Sequence, residues 1–487
     1  MEYSMWRKTI GNNDIDSLVA NGDTRDAFKT HRTINMGTNP STCNTKAFYN
    51  SNDYPYTLNS TLNPKCQEKN NRTTYLTGLG IEVIPQSNGT ARINVRWDDY
   101  DIRNDACWTG RIVLKEIARL NTGYKIILQQ NRTPSQVTRD AVSGYFAPTT
   151  TMICESGSNF VQQYASEVRL TEKSSLVLEC GSRYEVGNGA SLIVDSTASL
   201  VLNAGDSLIV KGGGYVLVKN CGNLIYNGGT IFLQDASSVL EIAGNLHIGD
   251  STSFTTSGNG YVKFSNNGTW DNTYNVTAGT HSSVVFKGTG KNDKKLEIEQ
   301  STVRFPQLDS LSFRNCKIEM GSEKRMQADY NYPITFSNVL LTSKTGTNNN
   351  HRSFNFYGQA NVTIDNCTFE YGRYGIYGIL TYFNNSMTVT NSTFRYNKKG
   401  MQIYDKGLHL SECTFLNNSE HGVYCDAMKW TSSFDDCVFS NNGTGNYYMG
   451  NSTAGVTIDD CSFTNSTNGF AFSGSFDVDI ECSSATG

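Results

Sequence analysis

Five carboxylates, Glu412, Asp435, Asp436, Asp459 and Asp460, recur late in the chain at a nearly constant spacing. Paired carboxylates at a fixed separation can cleave a glycosidic bond, one as acid and the other as base or nucleophile. Stacked in one column, Glu412, Asp436 and Asp460 would instead repel, and a bound Ca²⁺ would relieve that repulsion through hard oxygen ligands. Screening by water is the plainer expectation for them. A second series is aromatic. Tyr377, Gln402, Tyr424 and Tyr447 each stand two residues after a recurring glycine (Gly375, Gly400, Gly422, Gly445), and Tyr371 and Tyr396 stand two residues after Phe369 and Phe394. Outward tyrosines can stack on one another to stabilise a sheet, or offer flat amphipathic platforms to sugar rings. His421, in Glu420-His421-Gly422, is read as an exposed turn residue. The chain holds 13 cysteines, an odd number that forbids complete internal pairing.

These residues fall into register because the chain repeats itself. Leu311-Ser-Phe-Arg-Asn-Cys316, Val362-Thr-Ile-Asp-Asn-Cys367-Thr-Phe369, Leu408-His-Leu-Ser-Glu-Cys413-Thr-Phe415 and Val456-Thr-Ile-Asp-Asp-Cys461-Ser-Phe463 are versions of one segment, recurring about every 24 residues. Between 174 and 250 the beat is shorter: Leu192, Leu200, Leu208, Val216 and Leu224 are each eight residues apart. Three such beats equal one long repeat, so each coil is expected to contain three short strands and three turns. Strand alternation sends Val362, Ile364, Cys367 and Phe369 inward and Thr363, Asp365 and Thr368 outward. The inward cysteines (Cys316, Cys367, Cys413, Cys437, Cys461) are expected to pack as small apolar groups rather than to bind metal, because a straight column does not converge on an ion. Asn315, Asn338, Asn366 and Asn391 mark a corner that needs the left-handed backbone conformation Asn tolerates.

The repeat resembles the pectate-lyase-like superfamily of right-handed parallel β-helices and, within it, the large secreted or cell-surface β-helix proteins of Bacteroidota. The resemblance implies an all-β solenoid of roughly 24-residue, three-strand coils. It does not imply one activity, since that superfamily includes lyases, hydrolases, adhesins, tailspikes and stalks. The polygalacturonase-like catalytic set has Asn-Thr-Asp, Asp-Asp and Gly-His-Gly in that chain order; here Glu420-His421-Gly422 precedes Asp435-Asp436. The Arg-x-Pro-x-x-Arg segment of pectate lyases is matched only by Arg132-Thr-Pro134-Ser-Gln-Val-Thr-Arg139, with the wrong spacing. Neither set carries over.

Residues 1–100 lack the beat and are read as a small irregular N-terminal domain. Residues 101–173 are read as irregular first coils, and 174–487 as the β-helix, continuing beyond its last residue. Arg92-Ile-Asn-Val-Arg-Trp97 alternates like a strand. Cys43 with Cys66, and Cys154 with Cys180, are the disulfide candidates, with the connectivity left open. Charged residues are 18 % of the chain and the net charge is −4, which gives no electrostatic reason to expect nucleic acid. No apolar run is long enough to span a bilayer as a helix. The N-terminus lacks a signal-peptide pattern, so an extracellular or cell-surface protein is expected with its signal removed. The leading expectation is a non-enzymatic structural or adhesive module, glycan-binding through the tyrosine column, with a polysaccharide or cell-surface glycan, other subunits or a continuing C-terminal region as partners. The alternatives are a polysaccharide lyase or glycoside hydrolase acting through the acids, and a phage tailspike or fibre.

Overall fold

The computed structural model describes residues 33–34 and 79–486, apart from 86–90, 97–99, 103–104, 109–110, 115–116, 129–142, 164, 266–272, 358–360, 380–386 and 406. Cys43 and Cys66 lie outside the described residues. The chain divides into two compact units, 1–191 and 192–487.

In the first unit, Gly80–Pro85 and Ala91–Arg96 form an antiparallel pair, with Thr33–Ile34 on the other edge of Gly80–Pro85. From Asp101 onward the strands pair in parallel. Ile117–Leu120, Thr151–Cys154 and Ser175–Leu178 lie in register one coil apart, as do Lys125–Leu128, Asn159–Gln162 and Arg183–Val186. Alternate residues are buried along each strand, and Trp108, Phe160 and Tyr184 meet edge to face inside, with centroids 6.0 and 5.0 Å apart. Cys154 ends its strand facing inward and is buried, whereas Cys180 occupies an exposed corner in left-handed conformation. The expected Cys154–Cys180 bridge is therefore corrected: the two side chains belong to opposite sides of the wall.

In the second unit each coil has three strands, all paired in parallel. One face carries Ser199–Leu202, Asn223–Tyr226 and Asn245–Ile248. A second carries paired runs such as Val362–Asp365 and Thr368–Glu370, which turn through a single corner into one hydrogen-bonded sheet. From Thr273–Asn275 onward the place of the first of these faces in the coil is taken by a separate sheet, the third face, which runs through Phe354–Tyr357, Tyr374–Ile379, Lys399–Tyr404, His421–Asp426 and Gly445–Ser452 to Asn468–Gly474. Among the described residues there is no helix.

Identical residues stack inside. Phe369, Phe394, Phe415, Phe439 and Phe463 lie nearly parallel, with successive centroids 5.0, 5.0, 4.7 and 4.6 Å apart. The inward cysteines are buried and free. Asn315, Asn338, Asn366, Asn391, Glu412, Asp436 and Asp460 all have φ near +50°, and the first three pass amide hydrogen bonds along the corner: Asn338 Nδ2 donates to Asn315 Oδ1 at 2.8 Å, Asn366 Nδ2 to Asn338 Oδ1 at 3.3 Å. A second, fully buried ladder joins Asn397, Asn418 and Asn442. Each donates its Nδ2 to the carbonyl of the phenylalanine one coil back, at 3.0 Å, while Asn418 and Asn442 accept the backbone N–H of the asparagine before them.

One interior position breaks the pattern. Lys294 is 0 % exposed, in register with Cys316, and its Nζ has no hydrogen-bond partner among the described residues. Burial pulls its pKa down to about 8, from 10.5. The unfolded chain therefore holds the extra proton between pH 8 and 10, so stability rises with pH across that window and is lowest below it. The full penalty is on the order of 3 kcal/mol. Lys294→Met is expected to raise the melting temperature at pH 7 and to abolish this gain between pH 8 and 10; thermal unfolding of both proteins across that range checks it.

Candidate functional site

The third face of the second unit turns its outward residues into three columns. Register places Tyr374, Lys399, His421, Gly445 and Asn468 in one, and Asn355, Tyr377, Gln402, Tyr424, Tyr448 and Ala471 in the next. Tyr357, Ile379, Tyr404, Asp426 and Gly450 form the third. In Tyr374–Ile379, Lys399–Tyr404 and His421–Asp426 the second residue of the strand is a buried glycine. A Cβ at Gly422 would lie 2.6 Å from the Asn446 carbonyl oxygen and 3.0 Å from Phe439, so the close approach of wall and phenylalanine stack excludes a larger side chain.

Two sequence expectations are corrected by this register. Tyr447 does not point outward; it is 0 % exposed and packs edge to face on Phe434 at 4.8 Å. Gly445 pairs with His421, not with Gly422, so Asn446 takes the glycine position and Tyr448 becomes the outward residue. Gln402 lies in the outward column but is only 6 % exposed. Its Oε1 accepts from Lys399 Nζ at 2.9 Å and its Nε2 donates to the Tyr404 hydroxyl, so it braces its neighbours instead of meeting solvent. Tyr377 and Tyr424 are outward and half-buried, as expected, and Tyr371 and Tyr396 stack at 5.3 Å with rings 9° from parallel on the adjoining corner.

The tyrosines form a continuous surface. Tyr377 lies 6.2 Å from Tyr357, 5.1 Å from Tyr374 and 6.1 Å from Tyr404; Tyr404 lies 6.4 Å from Tyr424; and Tyr424 stacks on Tyr448 at 4.5 Å. Lys399 Nζ sits 4.0 Å above the Tyr424 ring, a cation–π contact. Burial, then neighbouring hydroxyls at Tyr377 and the Asp426 carboxylate at Tyr424, push both phenols up to about 12, so both stay neutral donors. Two clefts open on this surface. One, of about 370 Å³, is lined by His421, Tyr424, Thr444, Tyr448 and Asn468 among others; the second, of about 120 Å³, lies at the other end, around Tyr357 and Tyr377. His421 is a half-buried member of the first cleft, not the exposed turn residue expected, with its ring 5.4 Å from Tyr424 and 5.9 Å from Tyr448.

The acids sit elsewhere. Glu412, Asp436 and Asp460 occupy the exposed left-handed corner. Among the described residues the acids that come together are Asp459 and Asp460, whose oxygens lie within 4.8 Å of each other and of the Cys482 sulfur. Two carboxylates and a thiol do not suit Ca²⁺, which takes six or more oxygens; Glu412 and Asp436 do not join the group.

Residues 334–485 match the family model described as a right handed beta helix region. No curated protein matches the chain. Among solved structures, the crystal structure of the periplasmic alginate epimerase AlgG is similar over 75 % of this chain and 84 % of that one, at 10 % identity and a TM-score of 0.32.

Burial and the basic side of the face both disfavour a charged His421. Burial and then the Lys399 charge pull its pKa below the usual 6.5, against Glu420. Its NMR titration midpoint is expected below that of free histidine, and Lys399→Met is expected to move it upward; an unmoved midpoint would separate the two side chains.

Proposed function

Taking a right-handed parallel β-helix as the premise, we propose that the chain is an extracellular glycan-binding module whose tyrosine face holds a polysaccharide. The observation that carries this reading is the unbroken run of half-exposed rings from Tyr357 through Tyr377, Tyr404 and Tyr424 to Tyr448, with a cleft at either end. Each ring offers an apolar face and a polar edge, the combination that stacks on the C–H face of a sugar while bonding its hydroxyls. Asn468, Thr444 and His421 supply further donors and acceptors beside Tyr448. Strand spacing of about 4.8 Å per coil approximates the length of one sugar unit, so successive coils can meet successive residues of a chain lying along the columns.

A contrast within the molecule supports the surface role. On the second face the outward charges are used up by one another: Lys295 bridges Glu297 at 3.0 Å and Glu319 at 2.6 Å, Lys263 meets Glu299 at 3.0 Å, and Lys344 meets Glu297 at 2.6 Å. That wall is self-satisfied. The tyrosine face leaves its rings open to solvent.

Affinity electrophoresis in gels containing polysaccharides tests the reading. Tyr424→Ala and Tyr448→Ala are each expected to lower affinity about tenfold, a loss of about 1.4 kcal/mol of stacking, without changing the melting temperature appreciably. Tyr447→Ala is expected to do the reverse, costing about 3–5 kcal/mol of stability as a core truncation while the folded fraction still binds. Binding unchanged by both surface substitutions would overturn the proposal.

A further inference from the structure

The smaller cleft contains two arginines without a counter-charge among the described residues. Arg352 and Arg373 follow His351 and Gly372, which form a parallel bridge between neighbouring coils, so the two side chains leave adjacent points of the wall. Both backbones are fixed: Arg352 N donates to Lys324 O at 2.9 Å, and Arg373 N donates to His351 O at 2.7 Å. His351 between them is fully buried, and burial drops its pKa to about 4, so it contributes no charge. Both guanidinium groups line a cleft shared with Asn355, Tyr357, Tyr374 and Tyr377, and that of Arg373 lies 5.4 Å over the Tyr374 ring.

Other cations of these coils have partners. Arg395 meets Glu370 at 2.8 Å and Lys398 meets Glu420 at 2.9 Å. Among the described residues no carboxylate comes within ion-pair distance of Arg352 or Arg373. Two like charges at ladder spacing repel, and half-buried guanidinium groups lose part of their hydration without compensation. An anion in the cleft would offset both costs. Planar guanidinium forks are suited to carboxylate, sulfate or phosphate oxygens, which they bind bidentately.

We propose that the Arg352–Arg373 cleft is an anion subsite at one end of the tyrosine face, and that the glycan held there carries a carboxylate or sulfate group. This rests on the glycan-binding reading and adds a chemical class to it. A sugar ring stacked on Tyr377 or Tyr404 would place an acidic substituent toward Arg352 and Arg373, with Asn355 at the floor of the cleft.

Three probes separate the outcomes: polygalacturonate, its carboxyl-reduced neutral form, and dextran sulfate, which carries sulfate and no carboxylate, each titrated against the full chain by calorimetry at low and high salt. Binding of one or both acidic polymers at least tenfold tighter than the neutral one, weakened by salt, is expected. Which of the two binds tells carboxylate from sulfate. Arg352→Gln with Arg373→Gln is expected to bring the acidic polymer down to the neutral level, while Tyr448→Ala weakens both. Arg373→Lys keeps the charge but not the fork and is expected to recover only part of the difference. Equal binding of acidic and neutral polymers, untouched by the arginine changes, would overturn the subsite and leave the tyrosine reading standing. Absence of binding to all three, in a chain whose melting curve shows it folded, would overturn both.

Discussion

Parallel, in-register stacking makes every residue the neighbour of its own counterpart about 4.8 Å away. Each column must therefore tolerate its own repetition. Phenylalanine does so by stacking face to face, as from Phe369 to Phe463. Asparagine does so because an amide both donates and accepts, so Asn315, Asn338 and Asn366 can be passed along without an orphaned group. Charge repeated in register has to be offset from the side: Glu297 and Glu319 stand opposite each other and Lys295 bridges both, while Lys263 bridges Glu241 and Glu299.

The third face departs from that rule in two places. Gln402 interrupts the tyrosine column between Tyr377 and Tyr424 and ties Lys399 to Tyr404. The column thus retains rings on either side of a rigid polar spacer. Arg352 and Arg373 depart further, since they repeat a charge without an acid between them among the described residues. The repeated acids Glu412, Asp436 and Asp460 stand on an exposed corner where water screens them, whereas Arg352 and Arg373 are half-buried, and the proposed anion would complete their ladder.

Much of this was legible in the sequence because a solenoid writes its geometry as a period. The corner Asn positions, the inward cysteines and the Phe stack all followed from alternation about a beat of roughly 24 residues. Tyr447 was misread because the period was counted from Gly445, whereas Asn446 fills the glycine position there and shifts the outward site to Tyr448. Asn397, Asn418 and Asn442 each follow a stacked Phe by three residues. That signal was present and masked by the abundance of Asn elsewhere. The burial of Gln402 depends on which side chains bend over it, and Arg352 is brought beside Arg373 by one irregular bridge between His351 and Gly372; neither has a period to read.

The paired tyrosines at the corner between faces bear on the same question. Tyr371 and Tyr396 have φ of 63° and 57°, where the following coils place Asn417, Asn441 and Asn465 at 54°, 54° and 50°. A left-handed conformation costs a bulky L-residue roughly 1–2 kcal/mol, and Asn less. Ring stacking at 5.3 Å returns about 0.5–1.5 kcal/mol for the pair, which does not cover two strained residues. Arg395 over Tyr396 adds a weak cation–π contact on an open surface. Folding alone would be served at least as well by Asn at both positions. Tyrosine at these two corners, in the coils that also contribute Arg373, Tyr374, Tyr377 and Tyr404, is the choice expected if the proposed glycan-binding surface extends around the corner from the columns.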